Sequence, residues 1–342
     1  MTYGLTATTY GRGGGGRHHD SALLHNVLAA AGLTAPHTGQ PWSEPMLAGL
    51  AGGIGFMYAV FEYEGHLPVV TVVARHHPEP FIAAAVRRVR ARANTASTGS
   101  AKKALASLHA AVDSGHTPIC TVAGSRLPWH PERSELSSQD PHEIAVIALP
   151  GRRATVDDGG LHELPAEDLL AAWSGYRKGK HALLTVLGPG DPPDLPAAVA
   201  DAVATTCAHL TGPVLGTSFD VNFGFSGARR LAVQLAAEGK SGWAVRFADP
   251  AAMAAARSRL AACLTSEYGA PGALRPLYAD FLAEAGEAVG QPSYVEAAGL
   301  FRESGALWAA VAEGAEADPL PSLAERVNAA VDLEERATAI LS

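Results

Sequence analysis

The sequence predicts an α+β fold, with a mixed helix and strand half followed by an all-helical half. Three observations predict it. Short β-branched runs at Leu67 to Ala74, Pro118 to Ala123 and His181 to Leu187 alternate with helical spacings before residue 190. The stretch from Gly188 to Pro196 (GPGDPPDLP) is proline-dense and reads as a linker. Beyond it strand signals nearly vanish, and helices are expected at 197–210, 226–238, 249–267, 275–289, 293–313 and 321–341. A chain of 342 residues suits about two domains of roughly 150 residues. The expected domains are therefore 1–190 and 191–342.

In order, 20–31 is an amphipathic helix. Leu23, Leu24, Val27, Leu28 and Ala31 recur at helical spacing, Gly32 closes it, and Asp20 or Ser21 suits the N-cap. Four glycines between Gly49 and Gly55 make a permissive loop that feeds a strand from Met57 to Glu62. A strand at Leu67 to Ala74, a helix at 79–93, a polar break at 94–100 and a helix at 101–114 follow. After the Pro118 strand comes a hairpin over 143–157, with Pro150-Gly151 at the two central positions of a type II turn. Glu163 to Tyr176 reads as helix and His181 to Leu187 as strand.

Composition excludes several classes. With 47% hydrophobic and 18% charged residues the chain is not disordered. The apolar, uncharged run near Met46 to Phe61 is shorter than the ~18 apolar residues a spanning helix needs, and four glycines break it. Met1 to Gly16 has no apolar leader core, so a cytoplasmic protein is expected. Cys120, Cys207 and Cys263 are distant from one another, which fits buried thiols rather than disulfides or a cysteine zinc site. A net charge of −8 argues against nucleic acid. The Gly13–Gly16 run is no phosphate loop, and no dinucleotide fingerprint, HExxH or nucleophile elbow occurs. No cofactor and no metal are expected. A metal site on His18, His19 and His142 is disfavoured, because adjacent histidines rarely point the same way.

Charge is uneven. Residues 80–112 hold Arg87, Arg88, Arg90, Arg92, Lys102 and Lys103 with no acidic residue, so this window is +6 and the rest −14. It reads either as a solvated face or as a docking site for an anionic partner.

Candidate chemistry gathers at three places: Arg17 to Ser21 at the start of the first helix, His142 on one hairpin arm, and Asp157 (or its neighbour Asp158) at the end of the other. Simple hairpin counting pairs Ile144 with Asp157, which sets His142 diagonally from Asp157. A helix N-terminus facing a His–Asp pair can stabilise an anion, move a proton and orient the imidazole.

The pieces His18-His-Asp-Ser-Ala-Leu-Leu-His-Asn-Val-Leu28, Met46 to Tyr58, the Pro118 strand and the His142 hairpin resemble the N-terminal domain of the butirosin-biosynthesis protein H family. Asn222 to Arg230, Leu274 to Ala285 and Phe301 to Trp308 resemble the domain commonly fused behind it. The resemblance implies a papain-like N-terminal domain and acyl transfer. In butirosin biosynthesis an aminoacyl group passes from a carrier-protein thioester to an amine through a cysteine at the first helix. Counting back from Asn26 puts the cysteine position on His19, or on Asp20 with one gap. No cysteine lies between Met1 and Ile119.

The resemblance thus gives His19, Asp20, His142 and Asp157 as catalytic residues. Ser21, Gly53, Asn222 and Tyr278 lie in its matching pieces as substrate-contacting ones. The expected function is acyl or aminoacyl chemistry in natural-product biosynthesis by histidine general-base catalysis. The alternatives are a non-catalytic binding or scaffold protein, and a repurposed cyclase or lyase. Expected partners are a small-molecule or carrier-bound acyl substrate, an acidic carrier protein at Arg87, Arg88, Arg90 and Arg92, and a second copy through the Ala-rich helices. Neither nucleic acid nor membrane is expected.

Overall fold

The computed structural model describes residues 10, 13–130 and 141–342. The leader reading of Met1 to Gly16 falls mostly outside these residues. The first elements are α1 (His19–Ala30), α2 (Glu44–Leu50), β1 (Ile54–Phe61), β2 (Val69–Arg75), α3 (Phe81–Arg88), β3 (Ala91–Ala96), α4 (Ala101–Asp113) and β4 (Ile119–Ala123). Then come β5 (Pro141–Ala148), β6 (Arg153–Asp157), β7 (Leu161–Pro165), α5 (Ala166–Gly175) and β8 (Leu183–Pro189). The remainder is helical: α6 (Leu195–Thr211), α7 (Gly224–Ala236), α8 (Trp243–Arg246), α9 (Pro250–Thr265), α10 (Arg275–Val289), α11 (Pro292–Gly314) and α12 (Leu320–Leu341). The protein is α+β, sheet-rich first and helical after. Among the described residues no helix is long and apolar enough to cross a membrane.

Two compact units form. The first takes the described residues of 1–44 and 89–193, the second 45–88 and 194–342. The units are therefore not the contiguous halves expected from the linker. Residues 45–88 join the helical unit because the β1–β2 ribbon is part of its core. Phe56, Tyr58, Val70 and Val72 pack with Trp243, Leu260, Trp308 and Val327.

In the first unit six strands pair antiparallel in the order β3-β8-β4-β5-β6-β7. Cys120, Val122, Ile144, Val146, Ala154 and Val156 of the sheet pack with Leu108 of α4 and with Leu169 and Trp173 of α5. The two edge strands are those the sequence reading misses. β3 falls in the predicted helix end and polar break, and β7 in the start of a predicted helix. Edge strands expose most side chains, so no apolar alternation marks them; only Leu164 of β7 is buried. The linker is also shorter than expected. β8 runs to Pro189, and Asp194 caps α6 by accepting from the Ala197 amide at 3.1 Å.

The hairpin forms, with a different register. The Arg153 amide bonds to the Pro150 carbonyl, so Gly151, at φ +61°, takes the first central position. That is the glycine place of a II′-like turn, not of a type II turn. Ala148 pairs with Thr155, and a bulge at Ile147 then sets Val146 against Val156 and Ala145 against Asp157. The net slip against simple counting is one residue.

In the second unit a buried ion pair joins three helices and the ribbon. Arg275 of α10 gives Nε and Nη2 to the two oxygens of Glu334 on α12, at 2.8 and 2.9 Å. Its Nη1 reaches the carbonyls of Ala74 and Ala273. Ser304 Oγ and Trp308 Nε1 of α11 add bonds of 2.6 and 2.7 Å to Glu334. Burial alone would raise the Glu334 pKa, but Arg275 and these donors hold it below the ordinary carboxylate value.

Arg88 corrects the basic-window reading. It is buried and turned inward, with Nε on Asp201 at 2.7 Å, Nη1 on the Leu50 carbonyl and Nη2 on Thr205 Oγ1. Arg87, Arg90, Arg92, Lys102 and Lys103 stay exposed.

Two outcomes are expected. Glu334→Ala leaves a buried guanidinium uncompensated and should cost about 3–5 kcal/mol in urea unfolding. The fragment 191–342 lacks the β1–β2 ribbon and should unfold without a cooperative transition by circular dichroism; a sharp transition would show that its helices close a core alone.

Candidate functional site

The site is built on α1, β5 and the segment after β6, all in the first unit. Asp157 and Asp158 are neighbours at a strand end, and alternation sends their carboxylates to opposite sides. Asp157, paired with Ala145, is fully buried. It accepts from Tyr10 Oη at 3.1 Å, the Gly14 amide at 3.0 Å and Asn26 Nδ2 at 3.0 Å. The Gly13–Gly16 run thus wraps a carboxylate. Gly13 has φ +64°, and a Cβ there would come within 2.9 Å of Asp157 Oδ1.

Asp158 holds the histidines. His142 Nε2 lies 2.7 Å from Oδ1, and His130 Nε2 2.9 Å from Oδ2. Trp129 Nε1 donates to Oδ2 at 2.7 Å. His19, the first residue of α1, stacks on His142 with ring centroids 4.7 Å apart and planes 19° apart. Its Nε2 donates to the Glu143 carbonyl at 2.7 Å and sits 3.6 Å from Asp158 Oδ1. Gly124 leaves room for the His142 ring, since a Cβ there would lie 3.1 Å from His142 Cβ.

The partner of His142 is therefore Asp158 rather than Asp157. The turn at Gly151-Arg152 moves β6 by two residues and the bulge at Ile147 takes back one, so Asp158 occupies the diagonal position that simple counting gives to Asp157. Asp157 is a structural anchor instead.

Electrostatics separates the histidines. Burial disfavours charge on His142 and outweighs the Asp158 hydrogen bond, so its pKa falls below the ordinary imidazole value. Burial also opposes charge on His19, but Asp20, Asp158 and the Glu143 carbonyl together raise its pKa. Burial would raise Asp158, yet His130, His142 and His19 hold it far below the ordinary value. The carboxylate is ionised, His142 neutral and His19 biased toward the cation.

The other expected residues lie elsewhere. Asp20 is buried in the first turn of α1 and acts on His19 through its charge. Ser21 is buried, 3.0 Å from His18 Nδ1 and 3.4 Å from Glu44 Oε1. His18 thus bonds to Ser21, whereas His19 meets Glu143 and His142. Gly53, Asn222 and Tyr278 belong to the second unit. Tyr278 is a core residue, Gly53 makes room for its ring, and the Asn222 amide donates to the Phe219 carbonyl. Trp129 and His130 were missed. They lie on an irregular segment after β4, and no periodicity or motif singles them out.

A second imidazole pair, His76 and His209, is buried in the second unit with ring centroids 4.8 Å apart. Burial lowers both, His76 to about 3. Among the described residues no carboxylate is hydrogen-bonded to it; Glu79 stands 3.8 Å from His76 Nε2.

Residues 18–159 match the family model described as butirosin biosynthesis protein H, N-terminal. The chain carries a domain of that family at these residues. Residues 172–341 match a domain of unknown function (DUF4872). The family is acyltransferase-like and named for antibiotic biosynthesis. No curated protein matches the chain. The first family region includes residues 45–88, which fold into the second physical unit.

The two carboxylates are separable by experiment. By histidine NMR, His142 should titrate below an ordinary imidazole and His19 above it. Asp158→Asn removes the negative charge and should lower the His19 pKa. Asp157→Ala should leave it unchanged, while costing about 1–3 kcal/mol of stability by unpairing Tyr10 and Asn26.

Proposed function

We propose that this butirosin protein H-type chain transfers an acyl or aminoacyl group from a carrier-protein thioester to an amine, with His142 as general base. The observation that carries the reading is the 2.7 Å His142–Asp158 hydrogen bond, with the other oxygen of Asp158 fixed by Trp129 and His130. Asp158 accepts the Nε2 proton and so leaves Nδ1 as the basic nitrogen. A base must be neutral to act, and the lowered pKa keeps His142 neutral at pH 7. The amine attacks the thioester carbonyl, its proton passes to His142 Nδ1, and the C–N bond forms. The C–S bond then breaks, and the thiol leaves with that proton.

His19, at the N-terminus of α1, is the group we assign to the developing oxyanion. It is biased toward the cation, and the helix dipole adds to its field. A papain-like arrangement of helix end and sheet-borne histidine is the reading we give to this geometry. No thiol nucleophile is needed. Cys120 is buried on β4 with its pKa pushed up by burial, and Cys207 and Cys263 belong to the second unit. For the acidic carrier protein, we propose Arg87, Arg90 and Arg92 as contacts. Arg88 is taken up by Asp201 and Thr205.

The test is intact-mass detection of acyl-amine product after incubation with aminoacyl-loaded carrier proteins and candidate amines. His142→Ala should slow turnover by about 10²–10⁴-fold, and iodoacetamide should have no effect. Full activity in His142→Ala would overturn the reading, as would inactivation traced to a cysteine. Binding of the loaded carrier without any acyl-amine product would favour the scaffold alternative.

A further inference from the structure

We propose that His19, His142 and Asp158 also form a site for a divalent transition metal, with zinc the best match. One ligand atom from each residue lies within 4.8 Å of the others. Around one tetrahedral zinc ion, bonds of about 2.0–2.2 Å hold ligand atoms about 3.3–3.6 Å apart, so the set must contract. Small movements of two imidazole rings would close the set around one ion.

The donor chemistry selects the metal class. Two imidazole nitrogens and one carboxylate oxygen are the ligands of zinc sites that keep a fourth position open. Magnesium and calcium favour all-oxygen shells, which this cluster does not offer. The surroundings suit a metal as well. Trp129 Nε1 and His130 Nε2 both hold Asp158 Oδ2, which fixes the carboxylate plane and leaves Oδ1 toward the two imidazoles. The three ligands come from a helix start, a strand and a strand end, so the backbone already holds them together. The His19 side chain is 26% exposed and that of His142 14%, which gives an ion a way in.

The ion would take the Nε2 atoms of both histidines. It would replace the proton between His142 and Asp158 and the bond from His19 to the Glu143 carbonyl. Metal occupancy and the proton-transfer arrangement therefore exclude each other. The site goes beyond the acyl-transfer reading and does not depend on it.

The experiment uses the full chain, stripped with chelator and titrated with zinc against a chromophoric competitor. One zinc ion per chain is expected. His142→Ala and Asp158→Asn should each abolish competition with the dye. His130→Ala, which frees Asp158 Oδ2, should weaken binding by about 10–100-fold. His66→Asn, on the exposed turn between β1 and β2, should bind as the parent does. Circular dichroism checks that each variant is folded. Absence of zinc binding, or binding unchanged in folded His142→Ala, overturns the site. Acyl transfer by a chain that binds no zinc would overturn the metal site alone. Zinc binding at these residues, with no acyl transfer by the chelator-stripped chain, would overturn the catalytic reading alone.

Discussion

Two adjacent carboxylates at the end of β6 organise the first unit. A strand sends neighbouring side chains to opposite sides, so Asp157 and Asp158 cannot serve the same partners. Asp157 gathers Tyr10, the glycine run and Asn26 of α1. Asp158 gathers His130, His142 and Trp129. α1 also carries His19, so the first carboxylate fixes the helix whose leading residue meets the histidines of the second. A one-residue shift in β6 would exchange anchor and site. The bulge at Ile147 sets that register, and so belongs to the function as much as any imidazole.

The cluster around Asp158 differs from an ordinary buried ion pair. No Lys or Arg bond to it is found among the described residues; its hydrogen-bonding partners are His130, His142 and Trp129. A guanidinium would neutralise the carboxylate permanently. Imidazoles instead leave the charge balance adjustable near neutral pH. Burial works against charge on His142 and His19 alike, and Asp20 beside His19 breaks their equivalence. Two stacked rings thus carry different protonation biases.

Much of this was legible in the sequence. Helical periodicity placed α1 and the long C-terminal helices, and the β-branched runs placed β2, β4 and β8, because those elements bury one face. The His142 hairpin was legible too, with Asp157 or Asp158 opposite it. Choosing between them required a bulge that no residue type announces. Edge strands β3 and β7 bury little and so left no pattern. Trp129 and His130 reach Asp158 only through tertiary structure. Arg88 looked like its exposed neighbours in a basic run. Its partners, Asp201 and Thr205, lie more than a hundred residues away, beyond the reach of any local pattern.

The threading of the chain between the two units has a consequence for synthesis. Residues 45–88 leave the ribosome early, but Trp243, Trp308 and Val327, which complete their core, come much later. At about 5–20 residues per second, roughly 7–30 seconds pass between completion of the first unit and arrival of the last helix. Through that interval Phe56, Tyr58, Val70 and Val72 lack one or more of the helices that cover them. Translation speed beyond residue 194 governs how long this apolar surface lacks part of its core.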